Sequence, residues 1–243
     1  MTPVALHLFD SGTLVFAGNE VPVPYFLIRH PDGDVVVDGG NPRPVADDPK
    51  AYWGRMADQF VVHMTPDQHC ETQIRAAGVD PASVRHIVQT HLHMDHTGAL
   101  GHFPNATVVV HATELESARG DAPQWRGYMP ADIDKPGLEF DTYEGERDLF
   151  GDGSVRLIPS PGHSAGHVSV LLELENTGHV LLTADASDAK AIWDGRIPPR
   201  GLHDEAQAAA SLQRLHEVAD EHDALVVFGH DAGNWASLER FYD

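Results

Sequence analysis

An α/β fold of two sheets packed face to face, with helices outside them, is what this sequence predicts, and two observations carry it. Short apolar, β-branched runs recur between turn residues in two series, and helical patterns are interleaved with them. The strand runs are 25–28, 35–37, 87–88, 107–110, 155–158, 168–174, 180–182 and 225–228. Asp32-Gly33 between the first two is a hairpin signal, and Asn176-Thr177-Gly178 between two later runs is another. Both halves therefore begin with antiparallel pairs. Helices are predicted over 65–77, ended by Gly78, over 113–118, and over 205–222, where Leu212, Leu215 and Val218 share one side. Asp204 followed by Gln207 reads as a capping box for the last of these. At 243 residues one layered domain over 1–243 is expected.

Two stretches fit neither pattern. Residues 41–64 hold Pro42, Pro44 and Pro49, then Tyr52, Trp53, Met56, Phe60 and Met64; residues 119–147 hold Trp125, Tyr128, Met129 and Phe140 among many acids. Long connections of this sort serve more often as lids or ordered loops than as linkers. Singly, each aromatic is expected to tuck into the core; as a group they could line an apolar groove.

Sixteen basic against 37 acidic residues give a net charge of −21, which opposes binding to nucleic-acid backbones or anionic membranes. No stretch approaches the length of a membrane span. Cys70 is the only cysteine, so no intrachain disulfide can form and a reducing compartment fits. The start, Met1-Thr2-Pro3-Val4-Ala5-Leu6-His7, lacks a basic segment followed by a long apolar one, so the cytoplasm is the expected address.

The chemistry is concentrated in His91-Leu92-His93-Met94-Asp95-His96, three imidazoles and a carboxylate directly after an apolar run. Their spacing does not fit one helical face, and the helical zinc motif His-Glu-x-x-His is absent. His163, Asp185 and His230 stand at the ends of later apolar runs, making seven potential metal ligands. Alone, His163 or His230 would read as a hydrogen-bonded structural histidine and Asp185 as the start of a turn. As a set, imidazole and carboxylate suit divalent zinc. The other histidines are expected at the surface or in local structure. His167, four residues after His163, and His203, ahead of the last helix, stand somewhat apart from them.

The pattern His91-x-His93-x-Asp95-His96 with His163, Asp185 and His230 resembles the metallo-β-lactamase superfamily over most of the chain. The resemblance implies an αββα sandwich with two divalent ions, zinc by expectation, at the edge between the sheets. His91, His93 and His163 would hold one ion, Asp95, His96 and His230 the other, and Asp185 would bridge them. Such a pair lowers the pKa of a bridging water and clamps the oxygens of a hydrolytic transition state. Asp38, in Val37-Asp38-Gly39-Gly40, either orients ligand histidines or is a plain turn aspartate. Gly39, where threonine is frequent, is expected to loosen that turn.

Several segments look like the N-acyl-homoserine lactone lactonases of the superfamily. They are Val23-Pro24-Tyr25-Phe26-Leu27-Ile28, Ser160-Pro161-Gly162-His163-Ser164-Ala165-Gly166-His167, Leu182-Thr183-Ala184-Asp185-Ala186-Ser187, Val227-Phe228-Gly229-His230-Asp231 and Ser211-Leu212-Gln213-Arg214-Leu215. The likeness implies opening of a lactone ring by a bridging hydroxide, and it tilts toward a homodimer. The acyl chain would lie in a groove that Tyr52, Trp53, Met56, Phe60 and Met64 could supply. One position departs from the family. Where the lactonases carry a tyrosine three residues after the bridging aspartate, this chain has Asp188. Asp188 is either a solvated loop residue or a protonated acid that serves the leaving alkoxide, with Asp95 and Asp185 the other catalytic carboxylates. Tyr128, Tyr143 or Tyr25 could take the tyrosine's place in space.

A glyoxalase II-like thioesterase is the nearest rival, since the resemblance gives it the same ligands. Binding glutathione carboxylates calls for a basic cluster, yet only Arg240 follows Val218. A β-lactamase is disfavoured because Cys70 lies outside any ligand run, and nucleases by the charge. A catalytically silent binding protein on the same fold is the remaining alternative.

Overall fold

The computed structural model describes residues 4–16, 18–120 and 126–243; Trp125 and Met1–Pro3, read above, lie outside them. The first sheet is built from β1 (Ala5–Phe16), β2 (Asn19–Arg29), β3 (Asp34–Val37), β4 (Val61–His63), β5 (Val84–Val88), β6 (Thr107–His111) and β7 (Phe140–Tyr143), joined at its edge by β13 (Phe241–Tyr242). Its order is β13-β1-β2-β3-β5-β6-β7, with β4 added to β1. The second sheet takes β8 (Arg147–Asp148), β9 (Val155–Pro159), β10 (Val168–Leu174), β11 (Gly178–Ala184) and β12 (Leu225–Phe228), in the order β12-β11-β10-β9-β8. Both hairpin signals join antiparallel neighbours, β2 to β3 and β10 to β11.

Alternation along the strands sorts side chains into layers. Val35 and Val37 face the second sheet, packing with Val88, Val155, Val170, Val180 and Val227, whereas Val36 faces the other way with Ile74, Ile87, Val108 and Leu115. The first of these clusters is the shared core between the sheets. The second lies beneath α2 (Cys70–Ala76) and α3 (Ala112–Arg119). On the far side of the second sheet, Leu215, Val218 and Ala219 of α6 (Glu205–His222) cover Ile158, Leu171 and Leu181. The layering is α, β, β, α.

Three differences from the sequence reading have physical causes. The predicted helix over 65–77 breaks at His69, which is extended (ψ 140°), between a short 3-10 turn Pro66–Gln68 and α2. The His69 ring is buried and donates to the Gly98 carbonyl at 3.0 Å, while Thr65 and Gln68 cap each other ahead of it. β1 escapes a strand reading because polar residues interrupt it at Asp10, Ser11 and Thr13, where a bulge shifts its register with β2. The stretches 41–64 and 119–147 are ordered where described, and hold α1 (Pro49–Trp53), β4, α4 (Pro130–Ile133) and β7. Asp132 of α4 binds them together, accepting from Tyr52 and from Thr97.

Among strands of like direction, β3 and β5 run parallel in the first sheet and β11 and β12 in the second. Ligand sites of α/β proteins form beyond the carboxyl ends of such strands. Here Asp38 follows β3, the segment Gln89–His96 follows β5, Asp185 follows β11 and His230 lies two residues past β12.

Candidate metal centre

The seven ligand-type residues converge. His91 leaves β5 fully buried, and the turn that follows is closed by His96 N–H on the His93 carbonyl (3.0 Å) and Met94 N–H on the Gly127 carbonyl (2.9 Å). His163 sits in the turn between β9 and β10, where Gly162 adopts φ +132° and packs so closely on Ala208 of α6 that a Cβ would collide with its backbone. Asp185 follows Ala184, itself at φ 45°. His230 is fixed by its N–H on the Asp188 carbonyl at 2.7 Å.

Asp185 stands between two groups of nitrogens. Its Oδ2 lies 3.2 Å from His163 Nε2 and 3.9 Å from His91 Nε2; its Oδ1 lies 3.2 Å from His230 Nε2 and 3.5 Å from His96 Nε2. His163 Nε2 meets His93 Nδ1 at 2.9 Å, completing the first group. Asp95 completes the second, with one oxygen 3.9 Å from His96 Nε2 and the other 3.7 Å from His230 Nε2.

The rings are aimed by partners on their far nitrogens. Asp38 accepts from Thr90 N–H and Thr90 Oγ1, both at 2.8 Å, and from His96 Nδ1 at 2.9 Å. Because the Thr90 hydroxyl proton goes to Asp38, its oxygen accepts from His91 Nδ1 at 3.1 Å. His230 Nδ1 donates to the Pro22 carbonyl at 2.8 Å. Each of these rings therefore turns Nε2 inward, and His91 Nε2, His96 Nε2 and Asp185 Oδ1 are buried there without a hydrogen-bond partner. Orphaned buried acceptors of this kind need a ligand. Four inward Nε2 atoms, a fifth imidazole nitrogen and two carboxylates fit divalent cations of the zinc type.

Asp38 holds a positive φ of 65°, and its three hydrogen bonds make it far more than a turn residue. The turn is not loosened by Gly39, contrary to the expectation from its departure: at φ +126° it lies so close to Ala99 that no side chain fits. His167 is fully buried and accepts from the Asp185 N–H at 3.2 Å, propping the central carboxylate.

Charge within the centre divides the same way as the geometry. Burial and the neighbouring imidazoles hold His91 well below the usual histidine range; burial does the same for His163, with His93 adding to it and Asp185 opposing. Burial would lower His96 and His230 as well, but the carboxylates Asp185 and Asp95 outweigh it and raise them to about 9 and about 10. Asp188 is buried, 6% exposed, which overturns its reading as a solvated loop residue. Burial and the adjacent Asp185 charge push it up to about 7. Its Oδ2 pairs with Arg200 Nε at 3.0 Å, and its Oδ1 is buried with no partner among the described residues.

Two residues that sequence reasoning missed hold the site together. Glu114 of α3, fully buried, accepts from Leu92 N–H (3.0 Å), Ser164 Oγ (2.8 Å) and Gly166 N–H (2.9 Å). It thereby clamps the loop of His91 and His93 to the loop of His163. Arg200 is the second. Neither residue falls in a motif, and an acid on a polar-looking helix carries no sign that it is buried.

The centre opens on a cavity of about 610 Å³. Its reacting end is formed by His93, Asp95, His163, Asp185, Asp188 and His230, and its wall by Leu14, Phe16, Val21, Met56, Phe60 and Ile197. Of the groove residues expected from sequence, Met56 and Phe60 line it; Trp53 is buried beneath, Tyr52 turns to Asp132, and Met64 lies outside the lining. Tyr25 and Tyr143 are likewise absent from the cavity wall. Tyr128 reaches it, with the Glu114 carboxylate close by.

Residues 18–230 match the profile of the metallo-beta-lactamase superfamily. This chain belongs to that superfamily. The member is 42% identical over 259 residues to N-acyl homoserine lactonase AttM of Rhizobium radiobacter, covering 99% of this chain and 98% of that protein. An N-acyl homoserine lactonase of Bacillus cereus is 33% identical, across 87% of this chain and 82% of that one. A solved N-acyl homoserine lactone hydrolase, with N-hexanoyl-L-homoserine bound at its catalytic metal centre, superposes with a TM-score of 0.87 at 30% identity, covering 98% of each chain. The αββα layering is thus the superfamily fold. Among the described residues of this member, no helix is long and apolar enough to cross a membrane.

Proposed function

We propose that this chain is a metal-dependent hydrolase that opens the lactone ring of N-acyl-homoserine lactones. The observation that carries the reading is Asp185, with one oxygen facing His91 and His163 and the other facing His96 and His230, at the end of an apolar cavity. His91, His93 and His163 would hold one ion and Asp95, His96 and His230 the second, with Asp185 offered to both; zinc would suit these donors best. When bound, the pair supplies Lewis acidity toward an ester carbonyl and a nucleophile at neutral pH.

The protein's own part is to bind, orient and move a proton. The wall from Leu14 to Phe60 takes the acyl chain out of water, which seats the ring over the carboxylates. Asp38 and the Pro22 carbonyl fix the tautomers of His96 and His230, so both present Nε2 inward. Asp188 stands where the family tyrosine would. Burial and the Asp185 charge raise it above the usual carboxylate range, and with Oδ2 turned to Arg200 its unpartnered Oδ1 is the oxygen from which a proton would pass to the departing alkoxide.

The 243 residues act as one hydrolase domain, in which both sheets share a core. A cytoplasmic address accords with the one free, buried cysteine, and a homodimer with the likeness to the lactonases. The test is a substrate panel. Acid release from N-hexanoyl-homoserine lactone, followed with a pH indicator, is expected to exceed turnover of lactoylglutathione and of a chromogenic cephalosporin. Thioester cleavage alone would give the site to the glyoxalase II-like reading, and no turnover of any of them to a binding protein.

A further inference from the structure

Arg200 lies in no motif and on no regular element, yet it reaches the cavity at a particular place. Its Nε pairs with Asp188 at 3.0 Å, on the side of the metal centre, and its guanidinium lies over the Phe16 ring at 5.6 Å, on the apolar wall. It therefore spans the boundary between the reacting end and the surface that takes an alkyl chain. Its side chain is 55% exposed, and among the described residues no hydrogen bond takes its two terminal nitrogens. Paired at one edge and lying over a ring, the guanidinium keeps donors to spare.

We propose that Arg200 is a specificity-determining residue that binds the carbonyl oxygen of the amide joining the lactone ring to its acyl chain. This rests on the lactonase reading above, and it follows from position. In an N-acyl-homoserine lactone the amide is the one polar group between the ring and the alkyl chain, and Arg200, paired with Asp188 and lying over Phe16, is a donor standing between the two regions that would hold them. Phe16 supports the guanidinium from below, and Asp188 anchors it from the side. A γ-lactone with an alkyl tail and no amide would use the same cavity without engaging Arg200.

The experiment compares N-hexanoyl-homoserine lactone with an amide-free γ-lactone of similar alkyl length, in the wild type, Arg200→Leu and Asp188→Asn, with metal content measured for each. A hydrogen bond to a charged donor is worth about 1.5–3 kcal/mol, so the preference for the amide-bearing lactone, as a ratio of kcat/KM values, should fall roughly 10- to 100-fold in Arg200→Leu. Asp188→Asn keeps an oxygen for Arg200; both rates should fall, with the ratio changing less than about threefold. Equal losses on both substrates in Arg200→Leu would overturn the proposal and leave Arg200 as a prop for Asp188. An unchanged ratio with unchanged rates would overturn it as well. If the wild type opens neither lactone, the lactonase reading fails and takes this one with it; if it opens both without preference, the amide subsite alone is refuted.

Discussion

Replacing Glu114 by Gln changes no shape, yet it should loosen the metal centre from behind. The carboxylate accepts on both oxygens: Leu92 N–H on one, Ser164 Oγ and Gly166 N–H on the other. An amide offers one acceptor oxygen, so one side must face an NH₂ group. The better orientation keeps Ser164 and Gly166 and leaves the buried Leu92 N–H against a donor. Losing that bond and weakening the others from charged to neutral costs about 2–4 kcal/mol of stability. Leu92 lies between His91 and His93, and Ser164 follows His163, so the loss falls on the first ligand group. Removing the support behind metal ligands typically costs roughly 10- to 100-fold in affinity, and that is the drop expected for one ion, with the Asp95, His96 and His230 group little affected. Urea denaturation of the metal-free variant measures the first effect, and stepwise chelator competition the second. A variant within about 0.5 kcal/mol of wild type, with both ions held as tightly as before, would refute the clamp.

The pH behaviour of the metal-free protein follows from the raised histidines. His96 and His230, at about 9 and about 10 in the fold, bind their protons more tightly than an unfolded chain does. Their contribution is complete below the unfolded value near 6.5 and is lost as pH rises through 9–10, so the metal-free Tm should fall between about pH 7 and 10. With ions bound, the same nitrogens are ligands, and that fall should largely vanish; a metal-free Tm flat over this range would contradict the assignment. Gly39→Thr, which would restore the residue frequent in the superfamily, should destabilise this chain by about 2 kcal/mol or more through backbone strain and collision with Ala99. Thermal unfolding checks this, and a neutral or stabilising effect of the substitution would show that the turn has more room than its packing on Ala99 indicates.

Local sequence carried the candidate ligands because metal chemistry restricts residue types so tightly: His91, His93, Asp95, His96, His163, Asp185 and His230 all reach one centre. The buried strands were legible for a related reason, since runs such as Val35-Val36-Val37 must be apolar when both faces are covered. What escaped was decided by tertiary contact. His69 leaves the helix because Gly98, far along the chain, offers its ring a carbonyl. Asp188 is buried beside the centre, its main-chain carbonyl tied to the distant His230 N–H, and Glu114 is buried where it accepts from two loops. None of those relations has a period or a spacing to be read.

The claim that Asp185 joins two ion sites is tested most directly by elemental analysis of the purified chain, beside the Asp185→Asn variant. The account predicts about two divalent ions per chain in the wild type and a clear loss in the variant, since the amide brings one acceptor to a place where two are used. Fewer than one ion in the wild type, or two held undiminished in Asp185→Asn, would contradict it.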